Sequence, residues 1–209
     1  MNKGGWRWLL LAGLSLAFLG AALVLRTLRN GPLPAGEVPS VTEIRDNAPL
    51  PAFALPGPKG GFTNADLLGR WSFMFFGYTQ CPDICPTALT LMKDVKTTLA
   101  AAVPPAPAFQ VVFVSVDPRR DTRELLSKYM AAFDPSFIGV SGDDAALAPL
   151  VKNLGVYYQR NDGTDTKRYT VDHSASFYLI DPQGRLKAVF SPPQEAAKVA
   201  ANYRRITQR

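Results

Sequence analysis

Three side chains in this sequence are equipped for redox or metal chemistry. They are the only two cysteines, Cys81 and Cys85, and the only histidine, His173. The cysteines form a Cys-x-x-x-Cys pair, and each is followed by a proline, Pro82 and Pro86. At a helix start this spacing stacks two sulfurs on one face. Such a pair can close a disulfide or chelate one soft metal ion. A bridge over so few residues restricts the unfolded chain little, which favours a chemical role over a structural one. Two thiolates and one imidazole, if the fold brings them together, are a soft, low-coordinate set that suits Cu(I) and tolerates Cu(II) with a further ligand. A structural zinc site asks for a fourth protein ligand. With no third cysteine or second histidine, only Asp83 or Asp172 could help. Haem attachment through Cys-x-x-Cys-His is excluded, because that motif is absent. Metal binding and disulfide formation compete for the same sulfurs. In an oxidising compartment the pair therefore needs an external reductant before it can take copper.

The elements that must position these residues can be read from hydrophobic runs. Trp71–Phe76 is apolar, aromatic and bounded by Gly77, as expected of a buried strand. Tyr78, Thr79 and Gln80 make a turn, and beyond the cysteines Ala88–Met92 continues at helical spacing toward Ala101. The cysteines thus fall where a strand hands over to a helix. Unpaired amides and the positive end of the dipole favour a thiolate there, and proline fits the first helical turn. Gln110–Val116 is a second central strand. It ends in Asp117-Pro118-Arg119-Arg120-Asp121-Thr122, read as a structural turn in which Thr122 or Asp121 caps a helix through Ala132.

Around this centre, Phe53–Leu55 and Gly61–Thr63 resemble a small hairpin, followed by a helical turn at Asn64–Leu68. Phe137–Val140 reads as a short strand, and Ala145–Leu154 as a helix that Pro149 is expected to kink or delay. Val156–Gln159 reads as a strand and Arg160–Lys167 as a polar loop. Ala175–Ile180 and Leu186–Phe190 form a hairpin around Asp181–Gly184, with His173 at the mouth of its first strand. A helix over Pro193–Ile206 closes the chain. The order predicts an α/β fold with a mixed central β-sheet flanked by helices. Phe73–Phe76 belongs to the core, and Tyr157, Tyr158 and Tyr178 are expected to pack.

The N-terminal 30 residues are a separate object within the 209. Trp8–Leu25 carries no charge and lies between Lys3 and Arg7 on one side and Arg26 and Arg29 on the other. It is long enough to span a bilayer as one helix. The apolar run continues past Gly20-Ala21-Ala22 to an arginine, which favours an uncleaved transmembrane anchor over a signal peptide. The expected organisation is an anchor with basic flanks over 1–30, a Pro/Gly-rich linker over 31–50 and a domain over 51–209. The N-terminus is placed inside and the domain outside. Four of the net six positive charges belong to the first segment, leaving about +2 elsewhere and no basic stripe, so nucleic acid is not expected as a partner.

Three stretches together are similar to the Sco/SenC family of membrane-anchored copper-binding proteins. They are Phe76-Gly77-Tyr78-Thr79-Gln80-Cys81-Pro82-Asp83-Ile84-Cys85-Pro86, then Val116–Thr122, then Asp172-His173-Ser174 with Tyr178–Gly184. The resemblance implies a thioredoxin-like fold, with Cys81, Cys85 and His173 as copper ligands. It implies a role in assembling the binuclear copper centre of cytochrome c oxidase subunit II, by delivering copper or by keeping the target cysteines reduced. It also implies further partners, a copper donor and a thiol reductant, and a single-pass inner or plasma membrane protein whose domain faces the periplasmic side. The rival is a thiol–disulfide oxidoreductase, which needs both cysteines but not His173. The three-residue spacer, against two in thioredoxins, weighs against it. A peroxide-consuming thiol enzyme would need an activating arginine–threonine constellation around Cys81, for which the sequence offers no clear candidate.

Overall fold

The computed structural model describes Gly20 and residues 40–208, apart from 46, 47, 59, 103 and 162–168. The expected membrane span over 8–25 and most of the expected linker lie outside the described residues. Among the described residues no helix is long and apolar enough to cross a membrane. In chain order the strands are β1 (Val41–Glu43), β2 (Ala54–Leu55), β3 (Phe62–Thr63), β4 (Trp71–Gly77), β5 (Phe109–Ser115), β6 (Ile138–Ser141), β7 (Tyr158–Asn161), β8 (Thr170–His173), β9 (Phe177–Ile180) and β10 (Leu186–Phe190). The helices are α1 (Ile84–Ala100), α2 (Arg123–Phe133), α3 (Asp144–Leu154) and α4 (Ala196–Thr207), with a 3-10 turn at Asn64–Asp66.

Six strands form a mixed sheet in the order β1-β10-β9-β4-β5-β6. β4 runs parallel to β5 and antiparallel to β9, so it sits where the sheet changes from parallel to antiparallel. Ser72 to Gly77 are all buried, which explains the unbroken apolar run: both faces of a central strand are covered, and no polar alternation survives. Phe73 is the hub of an aromatic cluster. Its ring lies 5.1 Å from Phe109, 5.5 Å from Phe190 and 5.5 Å from Tyr203. Tyr203 fastens α4 to the sheet, and its hydroxyl donates to the Pro107 carbonyl at 2.9 Å. Full burial of such rings stabilises by about 1.5–3 kcal/mol each relative to exposure.

Local chemistry sets the helix ends. Thr122 caps α2, its hydroxyl accepting from the Leu125 amide at 3.2 Å. Asp143 caps α3 in the same way at Ala146, 2.8 Å. Pro149 lies inside α3 and does not delay its start at Asp144.

Two strands depart from the sequence expectation. Val41–Glu43, placed in the linker, is β1 and adds to the sheet edge against β10. Thr170–His173 is β8, although no strand was expected between the polar loop over Arg160–Lys167 and the strand from Ala175. It pairs antiparallel with β7 in a two-stranded sheet of its own, with His173 opposite Tyr158. Polar residues hide both strands: β1 is Val-Thr-Glu, and in β8 only Val171 is buried.

Candidate metal centre

The β4–α1 junction carries both cysteines. β4 ends at Gly77, the chain turns through Tyr78–Gln80, and the Cys81 amide donates back to the Tyr78 carbonyl at 3.2 Å. Cys85 is the second residue of α1, and Asp83 occupies the cap position without a side-chain capping bond. Cys81 is 9 % exposed and Cys85 is fully buried, so the dithiol is less open than an outward-facing pair would be. Both cysteines are free thiols. Cys85 can lie against β4 only because residue 77 is glycine: a Cβ there would stand 2.5 Å from the Cys85 sulfur and 3.0 Å from the Phe113 ring.

The turn before Cys81 is held from a distance in sequence. Asp121 is 2 % exposed, and its carboxylate accepts from the Thr79 amide (3.0 Å), the Thr79 hydroxyl (2.6 Å) and the Ser115 hydroxyl (2.6 Å). Burial pushes the Asp121 pKa up against these three donors. The segment read as a plain turn after β5 therefore does more than reverse the chain. Asp117 and Asp121 are both buried.

His173 arrives at the end of β8. Its ring meets Phe75 and Tyr78 edge-on, each at 5.9 Å between centroids. Nδ1 lies 3.1 Å from the Ser174 carbonyl, which can only accept, so Nδ1 carries the proton and Nε2 keeps a free lone pair. Nε2 is 3.5 Å from the Cys85 sulfur. The Cys81 and Cys85 sulfurs and a His173 ring nitrogen all lie within 4.8 Å of one another. Donor atoms gathered this closely can converge on a single ion. Among the described residues this group contains no carboxylate. Asp83 and Asp172, the sequence-level candidates for a fourth ligand, are exposed and outside it. The donors this group offers are therefore S, S and N, a set that would suit a soft monovalent ion better than a structural zinc.

The two thiols titrate as a pair. A hydrogen bond from the Cys85 thiol holds Cys81 down at about 4; burial opposes this, and the Cys85 and Asp83 backbone add to it. The same hydrogen bond, together with burial, pushes Cys85 up. At neutral pH the dithiol thus carries one thiolate and one proton, and a chelated ion has only that proton to displace.

The structure brings Cys81, Cys85 and His173 together. It also shows residues that sequence reasoning missed: Phe75 and Tyr78, which frame the imidazole, and Asp121, which fixes the cysteine turn. The signal for Asp121 was present in the Asp-Pro-Arg-Arg-Asp-Thr stretch, but nothing in the sequence says that its second carboxylate points back at Thr79. Tyr178 is buried as expected, whereas Tyr157 is 56 % exposed beside Ser174 and does not pack.

The SCO1/SenC family model matches residues 43–208. Among curated relatives, the SCO2-like protein of Rickettsia felis is 36% identical over 185 residues, covering 85% of this chain and 87% of the relative. The mitochondrial protein SCO2 homolog of Mus musculus is 36% identical over 141 residues, 68% of this chain and 55% of the relative. The chain thus spans about half the length of the mammalian relatives it matches. Among solved structures, Bradyrhizobium japonicum ScoI with copper bound superposes with a TM-score of 0.65 at 34% identity, covering 76% of this chain and 99% of that one. The mixed α/β architecture, a central sheet with helices, is the one these thioredoxin-like structures share.

Proposed function

Because the chain belongs to the SCO1/SenC family, we propose that it is a membrane-anchored copper chaperone that helps assemble the binuclear copper centre of cytochrome c oxidase subunit II. Cys81, Cys85 and His173 are its copper ligands. The observation that carries this reading is the convergence of two sulfurs and one imidazole nitrogen within 4.8 Å. Copper is the cargo. Cys81 meets the ion as a thiolate, Cys85 releases its proton as the second bond forms, and His173 offers Nε2 without losing a proton. Handing the ion to another dithiol reverses these steps, with each chaperone sulfur exchanged for an acceptor sulfur. Copper-bound neighbours such as the Bradyrhizobium japonicum protein support the choice of metal. In this reading the uncharged run Trp8–Leu25 serves as the anchor and the domain stands on the extracytoplasmic face of the membrane. A copper donor and a thiol reductant complete the partners.

Anaerobic titration of the reduced full chain with Cu(I), against a chelator of known affinity, tests the ligand set. One ion per chain is expected, with roughly tenfold or greater weakening in His173→Ala. Binding no tighter than that of a chain lacking both cysteines would reject the proposal. Carbonate extraction of membranes tests the anchor: release of the chain into the supernatant would refute it.

A second reading, reduction of the oxidase cysteines, is favoured by the asymmetry of the thiols. Cys81 is the acidic, partly exposed one and Cys85 the buried one. That is the layout of an attacking and a resolving sulfur. Cys81 attacks a target disulfide, Cys85 displaces the reduced target, and two electrons leave the chain as its own disulfide forms. This route is indifferent to His173→Ala, which separates it from copper delivery.

A further inference from the structure

We infer that Arg120 is a positioning residue that sets where His173 stands relative to the two cysteine sulfurs. The inference rests on the copper-binding reading above.

The histidine has a positional problem. β8 belongs to a two-stranded sheet, β7–β8, whose ladder is separate from that of the six-stranded sheet carrying the cysteines. The nearest ladder contact with that sheet comes four residues after His173, where Phe177 of β9 pairs with Phe75 of β4. The base of β8, at Tyr169, has no such tie and is held by side chains.

Arg120 reaches both halves of the site at once. Its side chain is 11 % exposed, and its Nε pairs with the buried Asp117 carboxylate. One nitrogen, Nη1, donates to the Tyr169 carbonyl at 2.9 Å and to Gln80 Oε1 at 3.2 Å. Gln80 directly precedes Cys81. Tyr169 immediately precedes β8 and lies four residues before His173. The guanidinium also covers the Tyr169 ring at 3.6 Å and approaches the Tyr78 ring at 5.5 Å, and Tyr78 is one of the two rings framing the imidazole. The Tyr169 hydroxyl closes the figure by donating to the other oxygen of Asp117.

An ion pair needed only for stability would be complete with Asp117. Here one planar fork is shared among the end of β5, the cysteine turn and the base of the histidine strand. Lysine cannot reproduce that geometry, because it has a single ammonium and no plane to stack. The segment Asp117–Thr122 thereby acquires a function. Asp121 holds the cysteine turn, and Arg120, braced by Asp117, holds the histidine strand against it.

The test uses the full chain as wild type, Arg120→Gln, Arg120→Lys, Tyr169→Phe, His173→Ala and the Arg120→Gln/His173→Ala double variant. Lys96→Ala, which breaks an ion pair with Asp134 remote from these segments, serves as the destabilised control. Three quantities are read: Cu(I) affinity by chelator competition, nitrogen hyperfine splitting in the electron paramagnetic resonance spectrum of the Cu(II) form, and the nuclear Overhauser contact between the His173 and Tyr78 rings in metal-free chain. Arg120→Gln is expected to weaken Cu(I) binding about 10- to 100-fold, to lose nitrogen splitting and to lose the ring contact. Arg120→Lys stays within a few-fold of Arg120→Gln. Tyr169→Phe falls between wild type and Arg120→Gln, which keeps the test alive if the arginine variants fail to fold. Lys96→Ala leaves all three readouts at wild type. In the His173→Ala background Arg120→Gln has no further effect on affinity, since it acts through the imidazole. Affinity within twofold of wild type with intact splitting, or a loss fully additive with His173→Ala, would overturn the inference. A wild-type chain that binds no copper would instead overturn the reading beneath it. The metal-free ring contact still decides whether Arg120 places His173.

Discussion

Replacing Gly77 with alanine adds one methyl group, at the point where β4 gives way to the cysteine turn. The backbone at Gly77 lies outside the left-handed region, so the substitution perturbs space and not backbone conformation. The new carbon would stand 2.5 Å from the Cys85 sulfur and 3.0 and 3.1 Å from two atoms of the Phe113 ring. Ordinary contact between such atoms begins at about 3.5 Å, so the sulfur must retreat by about 1 Å and the ring by about half of that. Phe113 is fully buried. Cys85 has one rotatable bond and sits in the first turn of α1, so its exit is a change of rotamer that carries the sulfur away from Cys81 and His173. Two consequences separate. Overpacking costs about 1–3 kcal/mol of stability, which denaturant unfolding of the metal-free chain measures. Copper affinity should fall by far more than that loss of stability accounts for, because one of the three proposed ligands is displaced, and chelator competition measures this on the same preparation. A Gly77→Ala chain with wild-type affinity, or one within about 0.5 kcal/mol of wild type in stability, would show that the contact is not the constraint argued here.

The dithiol predicts a pH profile. Because the Cys85 thiol holds Cys81 down at about 4, alkylation of Cys81 should proceed at a nearly constant rate from pH 5 to 8. In Cys85→Ala the profile should move up toward that of an ordinary thiol near about 8.5. A wild-type midpoint already near that value would refute the shared proton. Asp144 gives a second pH test. Arg160 and then Tyr158 hold its pKa down at about 2, and both belong to β7, the partner strand of β8. A depressed carboxylate stabilises above its unfolded pKa of about 3.9 and loses that contribution as pH falls through about 2. Asp144 is largely exposed, so Asp144→Asn should cost about 0.5–1 kcal/mol at pH 7, with the gap to wild type shrinking between pH 4 and pH 2 in urea unfolding. A gap that persists unchanged at pH 2 would mean that the pair is not ionic in effect.

What could be read from the sequence followed from side-chain type and burial. β4, β5 and the β9–β10 hairpin are covered by other elements, and their apolar residues announce it. α1 shows helical spacing once the chain leaves Pro86. The cysteines and the lone histidine advertise chemistry by what they are. β8 was hidden because its residues are mostly exposed and polar, and β1 because its partner is distant in the chain, Val41 pairing with Phe190. The supporting residues were hidden for the same reason. Thr79 and Asp121 are 42 positions apart, and Arg120 and Tyr169 are 49. Residue type alone gives an aspartate or an arginine in a turn many destinations, and only the packed fold selects one. Tyr157 erred the other way, since an aromatic within the predicted strand Val156–Gln159 suggested a core that does not extend that far.

The distance in sequence between Cys85 and His173 has a bearing on the life of the chain. These residues are 88 positions apart yet 3.5 Å apart in space. An ion joining them acts as a staple across a long loop, and a crosslink of such length removes about 4–5 kcal/mol of disorder from the unfolded chain by the polymer estimate. The loaded form should therefore unravel less readily than the empty one, and a protease that samples openings will clear idle molecules ahead of those carrying cargo.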